Sequence, residues 1–360
     1  MSAAHVIVGM SGGVDSSVTA YLLKEQGYRV SGLFMVNWTE DEAGYCSAAD
    51  DFQDARQVCE ELDIPLHRVD FSAEYRARVF DQFLADYAAG KTPNPDVLCN
   101  REVKFLPFRD YALRLGADWI ATGHYARIAH AADGAQLLRA ADDNKDQTYF
   151  LAGVTPAQFE RVLFPLGDLT KPEVRAIATR AGLGVHRKKD STGICFIGER
   201  EFRSFLAHYL KPDPGPIVDA DGNTVGQHQG LMYYTLGQRR GLGIGGTKTG
   251  IDAPWYVIGK DPARKALLVA QDAQHPRLMA TSLRAAPFNA LAAIEPNQKL
   301  LARIRHRAAL APCTVTPEAD GWRVIFDTPQ RAAVDGQFCV LYDGARCVGG
   351  GEISQVHTVG

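Results

Sequence analysis

Three short strings in this chain carry residues able to do chemistry together. The first is Ser11-Gly12-Gly13-Val14-Asp15-Ser16-Ser17, which follows the apolar run Val6-Ile7-Val8. Downstream of it, Val18, Leu22 and Leu23 share one helical face, so the string joins a strand to a helix. Two glycines let the backbone turn sharply and bring amides close to a ligand. A helix start adds unsatisfied amides and a dipole that favours an anion. The serine hydroxyls could add hydrogen bonds, and Asp15 could hold a magnesium ion bridging phosphates. A bare Gly-Gly pair would read as an ordinary turn with Ser or Asp as the cap. The full string directly after the first strand favours a phosphate site, and it matches neither the P-loop nor the dinucleotide fingerprint.

The other two strings each contain a cysteine. Cys99 closes Thr92-Pro93-Asn94-Pro95-Asp96-Val97-Leu98-Cys99. Two prolines stiffen a loop there and leave the thiol just ahead of a helix, where the thiolate is favoured. A buried structural cysteine is the alternative, which the polar, proline-rich neighbours argue against. Cys195 lies in Asp190-Ser191-Thr192-Gly193-Ile194-Cys195-Phe196, after Arg187-Lys188-Lys189. The cations favour a thiolate, while Ile194 and Phe196 fit a core position equally well.

The elements that must position these residues alternate at first. Strand signals at His5–Met10, Arg29–Val36, Leu66–Phe71 and Asp118–Thr122 are separated by helical ones at Asp50–Leu62, Ala73–Ala89 and Val103–Leu115. That order predicts a parallel sheet covered on both faces. Pro212, Pro214 and Pro216 crowd around Gly215, a composition that suits a domain junction. Short strand signals at Trp255–Ile258 and Ala266–Val269 follow, and from about residue 280 brief β segments alternate with Asp-Gly turns, as in a small barrel.

Composition excludes several classes. The 360 residues are 46% hydrophobic and 22% charged, which rules out a disordered or collagen-like chain. No apolar run approaches the ~20 residues of a membrane-spanning helix, and Met1–Met10 has no signal-peptide pattern. The cysteines, seven in number, are scattered, and no Cys-x-x-Cys pair occurs. That fits a reducing cytoplasm and weakens zinc and iron–sulfur readings. A net charge of −3 gives no global sign of nucleic-acid binding.

The first string resembles the pyrophosphate loop of the N-type ATP pyrophosphatases, which adenylate a substrate and release pyrophosphate. With PNPDVLCN, ATGHYAR, KDQTYFL, DSTGICFIG and YYTLGQRRGLGIGG in order and spacing, nearly the whole chain resembles the bacterial tRNA-specific 2-thiouridylases. The resemblance implies an α/β fold with an adenine nucleotide alpha hydrolase-like ATP pyrophosphatase domain over 1–205. A small central domain over 206–279 and a C-terminal β-barrel over 280–360 would follow.

It also implies a reaction: ATP-dependent adenylation of the wobble uridine of tRNA, then sulfur transfer. Gly9, Met10, Ser11, Gly12, Gly13, Val14, Asp15 and Ser16 would line the ATP phosphates, with Mg2+ held through Asp15 and no resident metal otherwise. Met35 would meet adenine, and Gly123 would let the nucleotide approach. Cys195 would carry the persulfide and Cys99 would be its nucleophilic partner, through a transient disulfide or beside direct persulfide attack. Asn94, Pro95 and Asp96 would face the target base, and Lys145, Asp146 and Gln147 the tRNA. Sulfur would come from a cysteine desulfurase or a sulfur carrier, with no membrane partner. An ATP-dependent amide ligase would need an amine source for which no domain is apparent.

The C-terminal part adds a basic stretch. Residues 281–310 hold Arg284, Lys299, Arg303, Arg305 and Arg307 against Glu295 alone, which suits a phosphate backbone or a solvated face. Arg305-His306 matches a tRNA-contact pair of the family that commonly reads Arg-Tyr. Arg239-Arg240 is a further candidate RNA contact.

Overall fold

The computed structural model describes residues 3–38, 48–132, 134–189, 202–244 and 253–360. Its first sheet is parallel, with strands β1 (His5–Met10), β2 (Arg29–Val36), β3 (Leu66–Asp70), β4 (Trp119–Ala121) and, after the hairpin β5 (Arg127–Ala131) and β6 (Gly134–Leu138), β7 (Val162–Leu163). The order across the sheet is β3-β2-β1-β4-β7. Val6 and Val8 point into one apolar cluster and Ile7 into another, all fully buried, because successive side chains alternate across a sheet covered on both faces.

Two helices depart from the sequence expectation. The stretch expected as one helix, 73–89, is two, Ser72–Tyr75 and Asp81–Ala88, joined by the π-helical turn Arg76–Phe80. The wider turn brings Phe80 against Phe83, Trp38 and Tyr209 in one aromatic cluster. The stretch 103–115 is likewise divided. A π-helical turn, Asn100–Lys104, precedes a helix that starts afresh at Pro107, whose ring suits a first helical position and not an interior one.

A second sheet, ordered β10-β11-β8-β9, contains β8 (Gly215–Val218), β9 (Thr224–His228), β10 (Tyr256–Asp261) and β11 (Ala266–Ala270). The third is antiparallel: β12 (Met279–Ala290), β13 (Lys299–Arg303), β14 (Ala311–Glu318), β15 (Gly321–Arg331), β16 (Phe338–Asp343) and β17 (Arg346–Thr358). These six run β12-β15-β14-β13-β16-β17, and β12 pairs again with β17 to close the barrel. Closure removes the exposed edges of a long sheet. The hairpin β5–β6, far upstream in sequence, attaches to this sheet where Leu138 pairs with Arg346.

A buried ion pair joins the turn after β6 to the barrel. Arg303 Nη1 donates to Asp146 Oδ2 at 2.7 Å, with the two side chains 5% and 0% exposed. Thr148 Oγ1 donates to the same carboxylate, and its oxygen lies 3.0 Å from the Tyr342 hydroxyl. The Arg303 guanidinium also sits 5.5 Å from the Tyr342 ring. Removing one partner strands a buried charge. Arg303→Met is therefore expected to lower stability by about 3–5 kcal/mol, and the pair Asp146→Asn, Arg303→Met by clearly less. Denaturant titration of both single variants and the double variant checks this; a double loss equal to the sum of the two single losses would mean that the pair is not coupled.

Candidate functional site

The phosphate loop is built as a receptor for an anion. Gly12 has φ +71, a left-handed conformation, and a Cβ there would lie 2.2 Å from the Asp51 carbonyl oxygen. The helix Val14–Glu25 starts behind Gly13, and no side chain caps it. Its first amides are thus left without an internal side-chain acceptor, as an incoming phosphate requires. Ser16 Oγ donates to the Gly13 carbonyl and accepts from the Ser11 amide, which holds the loop's shape. Lys188 donates to the Gly12 carbonyl and to Asp51 and Asp54, tying the loop to the helix Ala48–Glu61. Burial works against the Lys188 ammonium, but the two carboxylates outweigh it and raise its pKa.

Asp15 is aimed by two residues that sequence spacing did not single out. Lys171 Nζ at 2.7 Å and Tyr125 Oη at 2.8 Å both donate to Asp15 Oδ1. The second oxygen, Oδ2, accepts no hydrogen bond among the described residues. One oriented carboxylate oxygen fits a magnesium ion that takes its other ligands from phosphates and water. No cluster of three or more potential metal ligands occurs among the described residues. Gly123 packs on this corner: a Cβ would lie 2.8 Å from the Asp15 carbonyl carbon and 2.9 Å from the Ser16 amide. Met35 sits partly buried at the end of β2, opposite Val69.

Cys99 is not where the sequence reading put it. It is the last residue of the helix Pro95–Cys99, continuous with the next turn, and is 1% exposed. The prolines do not hold an open loop: Pro95 fills the first helical position, and Val97, Leu98 and Cys99 turn into the core. Asn94 caps this helix by accepting from the Val97 amide, and its amide nitrogen reaches Gln337 at 3.4 Å. Desolvation pushes the Asp96 carboxyl up, and Lys104 pulls it back. Asn100, 2% exposed, donates to the Phe150 carbonyl, while its Oδ1 has no hydrogen-bond partner among the described residues. Cys195 lies outside the described residues, as does the end of the glycine-rich segment. No disulfide joins any two of the described cysteines.

The expected RNA-contact residues divide. Asp146 is 1% exposed and consumed by Arg303 and Thr148, so it turns inward and not toward a nucleic acid. Arg303 leaves the basic face for the same reason, and Arg284 is paired with Glu318 and Asp320. Gln147 is also an internal strut: its side-chain oxygen accepts from the Tyr125 amide at 2.9 Å. Arg305, Arg307, Arg239 and Arg240 are exposed, and Lys145 is partly so. His306 lies against Phe150, with ring centroids 4.4 Å apart and the ring planes tilted by 39°. One path of contacts therefore runs from Asp15 through Tyr125 and Gln147 to Tyr149 and Phe150. It branches there to Asn100 beside Cys99 and to His306 on the barrel edge. His124, buried with Nδ1 2.7 Å from Thr122 Oγ1, is kept neutral by desolvation and by Lys104.

An uncapped helix behind a glycine turn at the end of the first strand of a parallel sheet defines an α/β domain with a candidate phosphate loop, here joined to a closed barrel. Family profiles described as a tRNA methyl transferase HUP domain, a tRNA methyl transferase PRC-barrel domain and an aminomethyltransferase beta-barrel domain match residues 4–199, 203–271 and 280–353. The chain belongs to the tRNA-specific 2-thiouridylase family. It is 57% identical over 354 residues to the tRNA-specific 2-thiouridylase MnmA of Sodalis glossinidius (strain morsitans), covering 97% of this chain and 96% of that protein. The protein of that name from Proteus mirabilis (strain HI4320) is 56% identical, again covering 97% and 96%. That of Streptococcus thermophilus (strain CNRZ 1066) is 52% identical, covering 100% and 97%.

Two outcomes follow from this geometry. Gly123→Ala forces a methyl group into the backbone of Asp15 and Ser16, which cannot yield as a side-chain tip can. We expect nucleotide affinity to fall at least about tenfold, read by titration with a non-hydrolysable ATP analogue. His306 is held down to about 4, first by desolvation and then by Arg307 and Arg303. Between that value and the unfolded value near 6.5, the unfolded chain takes up a proton that the folded one refuses. Stability carried by neutral His306 is thus complete above about pH 6.5 and falls away as pH drops toward 4. His306→Gln should flatten that part of the stability–pH curve; an unaltered curve would show that other groups set it.

Proposed function

We propose that the chain converts the wobble uridine of tRNA to 2-thiouridine, using ATP and persulfide sulfur. Full-length identity above 50% to proteins named 2-thiouridylases carries this reading, and the phosphate loop supports it chemically. The uracil C2 oxygen is a poor leaving group. Its attack on the α-phosphorus of ATP forms an adenylated base and releases pyrophosphate. Sulfur then adds at C2, and AMP leaves with the former carbonyl oxygen. Magnesium, when bound through Asp15, would neutralise phosphate charge. Lys171 and Tyr125 hold Asp15 in place, and the amides ahead of Ser17 face the phosphates.

In this reading, Cys195 carries the persulfide and the Cys99 thiolate attacks its inner sulfur. Hydrosulfide is released for C2, and a Cys99–Cys195 disulfide remains, which an external thiol must reduce. Direct attack by the outer persulfide sulfur is the competing route. The burial of Cys99 supports a water-poor site in which an adenylated base survives until sulfur arrives. A cysteine desulfurase or sulfur carrier supplies the sulfur, in a reducing cytoplasm. Arg305 and His306 on the barrel edge, with Lys145, receive the tRNA, and Asn94 and Asp96 stand toward the base. Three domains divide the work, with boundaries near residues 205 and 280.

The profile descriptions speak of methyl transfer, but a methyl donor needs no adenylation and makes no use of a phosphate loop. Nucleoside mass analysis separates the two after incubation with ATP, magnesium, a persulfide donor and unmodified tRNA. Sulfur replacing oxygen, with one AMP per event, is expected; a methyl gain without AMP would overturn the reading. Asp15→Ala should cut AMP formation by roughly 10²–10³-fold while tRNA still binds. Cys99→Ser should lose thiolation by a factor on the order of 10³ or more, yet still form the adenylate. Normal thiolation by Cys99→Ser from a persulfide donor would leave direct attack by the Cys195 persulfide as the route.

A further inference from the structure

The barrel turn that leads into β16 is clamped onto the segment ahead of the helix Pro95–Cys99. Thr92 donates its amide to the Asp335 carbonyl at 2.9 Å, and Lys91 pairs with Glu352 on β17 at 2.6 Å. Gly336, at φ +89, sits so close that a Cβ would lie 2.9 Å from the Lys91 Cβ and 3.1 Å from the Thr92 amide nitrogen. Gln337 Nε2 then donates to the Thr92 carbonyl at 2.9 Å and to the Pro93 carbonyl at 3.3 Å. Its Oε1 accepts from Asn94 Nδ2 at 3.4 Å, and Asn94 Oδ1 accepts in turn from the Val97 amide at 3.4 Å.

These contacts form a relay of two carboxamides whose direction is set at both ends by main-chain groups. A main-chain carbonyl only accepts and a main-chain amide only donates. Gln337 must therefore turn its nitrogen to Thr92 and Pro93, and Asn94 its oxygen to Val97. Only then do the two side chains meet nitrogen to oxygen, and neither can flip without losing bonds. Tyr149 Oη also lies 3.4 Å from the Gln337 oxygen, but the Phe338 main chain already satisfies it, through a carbonyl at 3.0 Å and an amide at 3.2 Å. Burial raises the Tyr149 phenol, and Asn94 beside it acts in the opposite sense, as a donor must. Asn94 is half-buried and lines a cavity of about 420 Å³ together with Leu98, Arg101 and Phe338. What it offers a ligand there is an N–H.

We propose that Gln337 is a positioning residue that fixes Asn94 as a donor, and that this donor selects uracil over cytosine by its C4 oxygen. The proposal rests on the thiouridine reading above and names what would make that reaction specific for uridine. Both pyrimidines carry the C2 oxygen on which adenylation acts, so C2 cannot discriminate between them. At C4, uracil presents an acceptor and cytosine an amino donor. A fixed N–H pairs with the first but faces a second donor in the other, leaving both donors without an acceptor in a water-poor site. Were the Asn94 amide to turn, its oxygen would accept from the cytosine amino group, and the distinction would be lost.

The test measures AMP formation by the full-length protein on unmodified tRNA and on the same tRNA with cytidine at the wobble position. Gln337→Met keeps the length of the side chain but removes both of its hydrogen-bonding groups. Its preference for uridine, as a ratio of kcat/KM values, should fall by roughly 10- to 50-fold, while affinity for an ATP analogue stays unchanged. Gln337→Glu can still accept from Asn94 but can no longer donate to Thr92 and Pro93. It should keep the uridine preference to within about threefold although its thermal midpoint falls. A Gln337 that is only a strut would lower the midpoint in both variants and leave the ratio alone, which would overturn the proposal. Equal loss of preference in Gln337→Glu and Gln337→Met would overturn it too, because only the first keeps the acceptor for Asn94. Wild-type protein that formed no AMP on either tRNA would overturn the functional reading and this proposal together. AMP formed on the uridine tRNA, with an unchanged ratio in Gln337→Met, would overturn the proposal alone.

Discussion

The carboxylate of Asp146 is the constraint on which the arrangement of this protein depends. A charge with no exposed surface is tolerable only when fully engaged, and its partners come from two parts of the chain. Thr148 is local, but Arg303 belongs to the barrel and lies 157 residues away. Satisfying the charge therefore requires the barrel to dock on the α/β domain in one register. The hairpin β5–β6 reinforces this by extending the barrel sheet, so the two domains also share backbone pairing. A hydrophobic interface alone would hold them together but would discriminate less between sliding positions.

Docking in that register places the chemistry. Residues 147–150 follow Asp146 directly, and they face three ways. Gln147 grips Tyr125, which in turn orients Asp15; Phe150 accepts from Asn100 beside Cys99; and the Phe150 ring supports His306. The phosphate loop, the cysteine helix and the barrel edge thus share one short rigid segment. In the proposed reaction, adenylation and sulfur transfer occur at one base, so the groups that perform them must keep fixed separations. A misplacement of about an ångström can cost ~10²-fold in rate.

Electrostatics follows the same layout. Cations accumulate around the loop, while their internal partners, Asp15, Asp51 and Asp54, hold them in place. The net charge of −3 conceals this local separation. Where an arginine of the basic stretch is neutralised, as Arg303 and Arg284 are, it serves the fold. Where it is not, as with Arg305 and Arg307, it faces solvent, and a polyanion is the partner its charge suits.

Local sequence determined the first strand, the glycine loop, the helix behind it and the alternation that produces a parallel sheet, because those depend on backbone geometry and side-chain period within a few residues. It marked Asp15 and Cys99 for the same reason. It could not show that Pro95–Cys99 is a buried helix end, because burial depends on what packs over it. Nor could it distinguish Arg303 from Arg305, two residues apart on the same stretch, one sealed against Asp146 and the other exposed. Tyr125 and Lys171 reach Asp15 from 110 and 156 residues away, and nothing in their own neighbourhoods signals that contact. Spacing along the chain specifies which groups can be neighbours within one element. Only the tertiary fold, by closing the barrel and satisfying its buried charges, decided which elements meet.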